Sequence, residues 1–185
     1  MTNNKKHIFV FVGMAGSGKN TCTNYLHTKY AADIFSFTTM LKDVISRFYL
    51  EFNRDNLIKL SEAVRAIFGE DLLAKTMAKD VENASSNMIA IDNARRLADI
   101  KYLSQLPGFV LIEIAADMKT RFERISKRGE KTSDAQTFEQ FVAEHQRPTE
   151  LSIFDLAKHA TEHINNDGNS EQLYAQVDEL VKKYS

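Results

Sequence analysis

The stretch Ile8-Phe9-Val10-Phe11-Val12-Gly13-Met14-Ala15-Gly16-Ser17-Gly18-Lys19-Asn20-Thr21 decides how the rest of the chain is read. Ile8 to Val12 is the longest unbroken apolar run, and its five residues suit a short strand covered on both faces, as in a parallel sheet. Gly13, Gly16 and Gly18 follow, and a helix opens near Lys19, where Cys22, Tyr25 and Leu26 share one face. Glycines at that junction let the backbone turn tightly and approach a polyphosphate. Successive N–H groups and the helix N-terminus then supply a positive concavity for it. Lys19 adds a mobile point charge between the β- and γ-phosphates. A glycine-rich turn that binds nothing is the competing reading, and strand, spacing and lysine together weigh against it.

Working outward, Val110–Ile114 repeats the pattern of a buried central strand, and Ile34–Phe37, Met88–Ile91 and His163–Asn165 are weaker strand candidates. Helical patterns separate them, so the chain reads as α/β with a five-stranded, mainly parallel sheet. Leu41, Val44, Ile45, Phe48 and Phe52 form one helical stripe, and Leu57, Leu60, Val64 and Ile67 form another. No strand candidate falls between about 41 and 84, a stretch too long for a simple crossover, which predicts a helical lobe inserted between the second and third strands. Thr137 and Gln140 have capping-box spacing before Phe138, Phe141 and Val142, and Pro148 is expected to end that helix. Ser170 is expected to cap a last helix whose buried stripe is Leu173, Val177, Leu180 and Val181. No repeat and no linker splits the 185 residues, so one domain is expected.

Composition narrows the function classes. Twenty-four basic against twenty-five acidic residues leave a formal charge of −1, so no global pull toward nucleic acid or an anionic membrane is present and any anion site must be local. The single cysteine, Cys22, excludes an internal disulfide and a cysteine-rich zinc site, as in a reducing compartment. With no apolar run long enough for a transmembrane span or a signal peptide, the expected location is cytoplasmic. His159 and His163 are four apart without a third ligand in view, which is poor material for a metal site.

The loop resembles that of P-loop nucleoside monophosphate kinases such as adenylate kinase, whose form is Gly-x-x-Gly-x-Gly-Lys-Gly-Thr. The general P-loop pattern has Ser or Thr directly after the lysine as a magnesium ligand. Here Asn20 stands there, and Thr21 takes the place of the family's threonine near the donor phosphates. Further segments are similar to these kinases or, for the last, to dephospho-coenzyme A kinase-like proteins. Ser36-Phe37-Thr38-Thr39-Met40-Leu41-Lys42 resembles the segment that opens their acceptor lobe, and also the Phe-x-x-x-Leu-Lys segment of phage-type deoxynucleoside monophosphate kinases. That places Thr38 and Lys42 on an acceptor phosphate. Asp92-Asn93-Ala94-Arg95 resembles the Asp-Gly-x-Arg motif of nucleotide and dephospho-coenzyme A kinases, with Arg96 as competitor for the arginine's role and Asp99 where some of those families place a Glu. Asp92, at the carboxyl end of a buried strand, is where ligands of open α/β sheets bind and is suited to holding magnesium through water. Arg124 and Arg128, on one helical face, resemble the Arg-x-x-x-Arg helix that meets the donor adenine and phosphates. Arg147 is a candidate arginine returning from the lid side, and Asn166 lies in a turn similar to the Ile-x-Asn-x-Gly turn beside the donor base in dephospho-coenzyme A kinase-like proteins.

The resemblance implies a single P-loop kinase domain, with its core at about 1–38, 86–128 and 137–185, an acceptor-binding helical lobe at about 39–85 and a lid at about 129–136. It implies ATP and magnesium as cofactors, bound through Gly13, Ala15, Gly16, Ser17, Gly18, Lys19, Asn20, Thr21, Arg124, Arg128 and Asn166, with Asp92 and Thr21 toward the metal. Catalysis would fall to Lys19, Asp92, Arg95 and Arg128, and acceptor binding to Thr38, Lys42, Arg95, Arg96 and Arg147. The expected partner is a small nucleotide, with the chain a monomer or small homo-oligomer. The expected reaction is phosphoryl transfer from ATP to a nucleoside or deoxynucleoside monophosphate. A dephospho-coenzyme A kinase-like enzyme and a nucleotide-binding switch without a small-molecule acceptor are the alternatives. The switch lacks the guanine-reading Asn-Lys-x-Asp tetrapeptide, and the hydroxyl chemistry prefers a general base, a place Asp33 does not convincingly fill.

Overall fold

The computed structural model describes residues 6–129, 136–146 and 148–185. Five strands, β1 (His7–Val12), β2 (Asp33–Ser36), β3 (Met88–Asp92), β4 (Phe109–Ala115) and β5 (Glu162–Asn165), form one all-parallel sheet in the order β2-β3-β1-β4-β5. All five expected strands are present, with ends within a residue or so. Because side chains alternate along a strand, Ile8, Val10 and Val12 enter one core and Phe9 and Phe11 the other. The chain leaves central β1 toward β2 and β3 on one side and later returns to β4 and β5 on the other, which opens the crevice above β1 where such sheets bind ligands.

One face is covered by α1 (Lys19–Tyr30) and α9 (Ser170–Tyr184), through Cys22 and Leu26 of the first and Leu173, Val177, Leu180 and Val181 of the second. On the other face lie α2 (Phe37–Arg47), α3 (Arg54–Phe68), α4 (Leu72–Asn83) and α8 (Pro148–Ala157). Of the helices in the 41–84 stretch, α4 is a core helix, burying Leu73, Ala74, Met77, Ala78 and Val81, whereas α3 buries no residue fully and rests Leu57, Leu60 and Val64 against the core. The short α5 (Leu97–Ile100) follows β3, α6 (Met118–Arg128) follows β4, and α7 (Phe138–Glu144) carries the Thr137–Gln140 capping box.

Several expectations are corrected. The stripe from Leu41 stops after Ile45, because α2 ends at Arg47 and Tyr49 turns the chain with φ 58°, leaving Phe48, Tyr49 and Phe52 exposed. Ile67 is likewise exposed at the end of α3, and Phe138 and Val142 flank the buried Phe141 on α7 without being buried themselves. Pro148 opens α8 instead of closing α7; proline suits the first helical turn, where its missing N–H is not needed. Asn169, not Ser170, caps α9, its side chain accepting from the N–H of Gln172. The lid segment expected at 129–136 lies, at 130–135, outside the described residues, as does Arg147.

A polar hub ties α1 to α9. The carboxylate of Asp178 accepts from Tyr25 Oη at 2.9 Å, Tyr30 Oη at 2.7 Å and Lys29 Nζ at 2.7 Å, and Tyr25 stacks on Tyr174. Partial burial raises the Asp178 pKa, but the bonds from Lys29, Tyr30 and Tyr25 outweigh it and leave the carboxyl below its ordinary range. That contribution to stability is complete above the ordinary carboxylate range and is lost as the pH falls through the lower folded value. Asp178→Ala is therefore expected to lower stability at neutral pH by about 1–2 kcal/mol, since it strands two phenols and an ammonium at a partly solvated site. Urea denaturation of the two proteins at pH 7 checks this; an unchanged midpoint would show that the hub contributes nothing.

Candidate functional site

The loop of residues 13–18 leaves β1 and closes on α1. Gly18 adopts φ 108°, and a Cβ there would collide with Nδ2 of Asn166, so both the dihedral and the space require glycine. Asn166, expected on the donor base, is only 5% exposed, and its amide donates to the Ser17 carbonyl at 2.7 Å; it braces the loop from β5. Gly16, at φ 78°, sits against the Arg121 backbone. Arg121 itself, which the sequence reading passed over in favour of Arg124 and Arg128, is 5% exposed and donates to the carbonyls of Ala116 and Ala15, with Phe141 beneath its guanidinium. Its pairing with Ile125 at i+4 on the buried face of α6 was the available signal.

Lys19, partly buried, donates from Nζ to the carbonyls of Gly13 at 2.7 Å and Met14 at 3.1 Å. Burial, and then the charge of Arg95, lower its pKa to about 8 against the pull of Asp92 and Glu150. Asp92 ends β3, opposite Ser36 at the end of β2. Burial raises its pKa, opposed by hydrogen bonding to Ser36, the charge of Lys19 and the amide of Asn93. Asn93, at φ 60°, donates to both Ser36 Oγ and Asp92 Oδ1 and so locks the two strand ends together. Lys19, Asp92 and Arg95 are thus brought within electrostatic reach of one another at the crevice.

Two more charged residues lie near these, Glu150 beside the cluster and Arg65 beside the loop that follows β3. Glu150, at the start of α8, lies 4.0 Å from Arg95 and acts on Lys19 and Arg121. Arg65, on α3, lies near Arg96 and Asp99; burial and then the charge of Arg96 lower its pKa, and its Nε is buried without a partner. No local pattern marks either residue. Of the other expected residues, Arg96 is tied to Asp99 at 3.2 Å, while Asp99 accepts from the backbone N–H of both Arg95 and Arg96 and so shapes the loop after β3. Thr38 donates its N–H to Ser36 Oγ; Lys42, exposed, has its ammonium 5.1 Å from the centre of the Phe52 ring and is not brought to the loop. Arg124 donates to the Gly168 carbonyl beside the Asn166 turn, and Arg128 is exposed at the end of α6. A wider hollow of about 560 Å³, lined by Leu97, Lys101, Phe109 and His159, holds none of the expected residues.

The fit to a polyphosphate rests on the glycine loop, on Lys19 bonded only to loop carbonyls among its described partners, and on Ser17 Oγ, which is buried without a partner inside the cradle. Among the described residues no group of three or more His, Cys, Asp or Glu side chains is gathered for a metal. Magnesium needs no such cage, because it keeps several waters and takes one or two carboxylates together with substrate phosphates, a donor set that Asp92 fits. Thr21 is half-buried and Asn20 exposed in the first turn of α1. Among the described residues no helix is long and apolar enough to cross a membrane.

A phosphate loop between β1 and α1, a central β1 and an acidic residue ending the neighbouring strand make this the fold of P-loop kinases. No protein-family model matches the chain. The UPF0200 protein of Staphylothermus marinus is 27% identical over 183 residues, covering 97% of this chain and 93% of that one. The UPF0200 protein of Methanosarcina barkeri is 26% identical over 179 residues, covering 96% and 95%. Among solved structures, TT1252 from Thermus thermophilus matches with a TM-score of 0.60 at 16% identity, covering 98% of this chain and 99% of that one. The shikimate kinase of Acinetobacter baumannii, in complex with shikimate, matches at 0.58 and 11%, covering 97% and 95%. These likenesses carry the fold.

The lowered pKa of Lys19 has a measurable consequence. Below about pH 8 the buried ammonium costs folding energy, and stability rises as the pH climbs from there toward the ordinary lysine value. A bound triphosphate reverses the preference by pairing with the charged form. ATP binding is therefore expected to take up a proton one pH unit above that value and almost none one unit below. Calorimetry in buffers of different ionisation enthalpy measures the uptake; none at the higher pH would place Lys19 outside the phosphate site.

Proposed function

We propose that this chain transfers the γ-phosphoryl group of ATP to the phosphate of a nucleoside or deoxynucleoside monophosphate, giving the diphosphate and ADP. The observation that supports the reading is the convergence of the charges of Lys19, Asp92 and Arg95 beside a glycine loop whose Ser17 hydroxyl is buried without a partner. A phosphate acceptor is already ionised and needs no strong base, so the protein's work is positioning and charge neutralisation. The loop N–H groups and Lys19 hold the β- and γ-phosphates and meet the charge that develops on the transferred group. Arg95, exposed at the end of β3, suits bidentate capture of the acceptor phosphate, with Arg96, Thr38 and Lys42 from neighbouring segments. Arg124 and Arg128 of α6 serve the donor side. Magnesium would supply neutralisation of phosphate charge, and Asp92 and Thr21 are the residues that would hold it, Asp92 through water.

A coupled assay for ADP release tests the reading. ATP and magnesium are supplied with each common ribo- and deoxyribonucleoside monophosphate, with dephospho-coenzyme A, with shikimate, and with no acceptor. Stimulation by one or a few mononucleotides, with the matching diphosphate as product, is the expected result. The Lys19→Ala protein should lose turnover by on the order of 10²-fold or more. Stimulation confined to dephospho-coenzyme A or shikimate would replace the acceptor and keep the reaction class, and equal slow hydrolysis in every well would favour the switch.

The metal side gives a separate expectation. An amide oxygen is a weaker magnesium ligand than a carboxylate, and Asn20 is exposed whereas Asp92 is buried. Asp92→Asn should therefore raise the magnesium concentration for half-maximal turnover more than Asn20→Ala does, and the reverse order in a magnesium titration would remove Asp92 from the metal's surroundings.

A further inference from the structure

Glu150 stands at the phosphate loop without a part in the reading above. It lies in the first turn of α8, with its side chain 20% exposed, and α8 is fixed by Ile153, Leu156 and Ala157 in the same core as β1 and β3. A packed helix therefore delivers the carboxylate to a set place. Its Oε1 is 4.0 Å from Nη1 of Arg95, a charge contact too long for a hydrogen bond, and its charge also acts on Lys19 and Arg121. Lys19, Arg95 and Arg121 thus share one carboxylate from α8, while Asp92 from β3 acts on Lys19.

In the proposed donor site the β- and γ-phosphates pair with Lys19, on which the Glu150 charge already acts, so an entering triphosphate meets that carboxylate partly screened from water. Repulsion there scales with the charge that enters. Free ATP brings its full negative charge, whereas the divalent ion in the magnesium complex cancels part of it. The carboxylate therefore taxes the two forms unequally. We propose that Glu150 is a specificity-determining residue of the donor site, making the loop take the magnesium complex of ATP in preference to free ATP. This rests on the donor half of the proposed function and is independent of which acceptor is phosphorylated.

The test is direct binding to the full chain, by calorimetry, of ATP with a chelator and of ATP with excess magnesium. In the wild type, free ATP should bind more weakly. In Glu150→Gln its affinity should rise on the order of 10-fold while that of the magnesium complex changes less than about threefold, so that the ratio of the two dissociation constants contracts. Glu150→Ala, equally uncharged, should contract the ratio however Gln packs, and Glu150→Asp should largely keep it; melting curves confirm that each variant is folded. A loss of side-chain packing alone would not move this ratio. An unchanged ratio in the uncharged variants, or an equal gain for both forms, overturns the proposal. A selective loss of affinity for the magnesium complex overturns it in favour of a metal-holding carboxylate. A wild-type chain that binds neither form overturns the donor reading as well, whereas binding with an unchanged ratio overturns this inference alone.

Discussion

The amide of Asn166 passing beneath Gly18 to reach the Ser17 carbonyl is the contact on which the site's geometry depends. A phosphate cradle works only if its N–H groups point inward before the ligand arrives, and a glycine loop has no side-chain packing of its own to hold it. The hold comes from outside: from β5 through Asn166, and from α6 through Arg121, which grips the Ala15 carbonyl. The same brace forbids any side chain at position 18. Behind it, the Asp178 hub ties α1 to α9, which holds the helix that follows the loop against the segment that carries Asn166.

Charge in the crevice follows the same logic. Lys19, Arg95 and Arg121 face Asp92 and Glu150, a local excess of positive charge in a chain whose formal net charge is −1. The lysine's lowered pKa and the raised pKa of Asp92 both have burial as their first cause, and each charge partly rescues the other. Groups this perturbed in a cleft mark a functional place more often than a structural one. A triphosphate with a metal would relieve both groups together, supplying anions to the lysine and a cation to the aspartate.

What could be read in the sequence was what is local. The glycine loop, the five strands and the Thr137–Gln140 capping box each depend on residues within a few positions of one another, and each appears where its pattern lies. The α2 stripe failed at Phe48 because a periodic pattern does not announce the left-handed turn at Tyr49 that ends it. Pro148 was ambiguous in principle, since proline both ends helices and begins them. Asn166, 149 positions from Ser17, and Glu150, brought to Arg95 by the packing of α8, depend on tertiary placement that no spacing encodes. A resemblance could bring Asn166 to the site but not say that its amide is committed to the loop.

The two halves of the crevice are built differently. The supports of the glycine loop are anchored: β1 and α1 in the core, Asn166 and Arg121 buried, Asp92 locked by Asn93. Other cations are held less firmly: Arg95 is exposed, Lys42 lies over the exposed Phe52, and Arg65 rides on α3, a helix with no fully buried residue. Arg65 follows Val64, one of the residues by which α3 leans on the core, and that contact brings its charge near Arg96 and Asp99. Burial and the charge of Arg96 weigh on the Arg65 guanidinium, Asp99 and Glu70 oppose them, and its Nε is left buried without a partner. The supports of the glycine loop thus belong to the sheet and the helices packed on it, whereas Arg65 belongs to a helix that buries none of its residues fully.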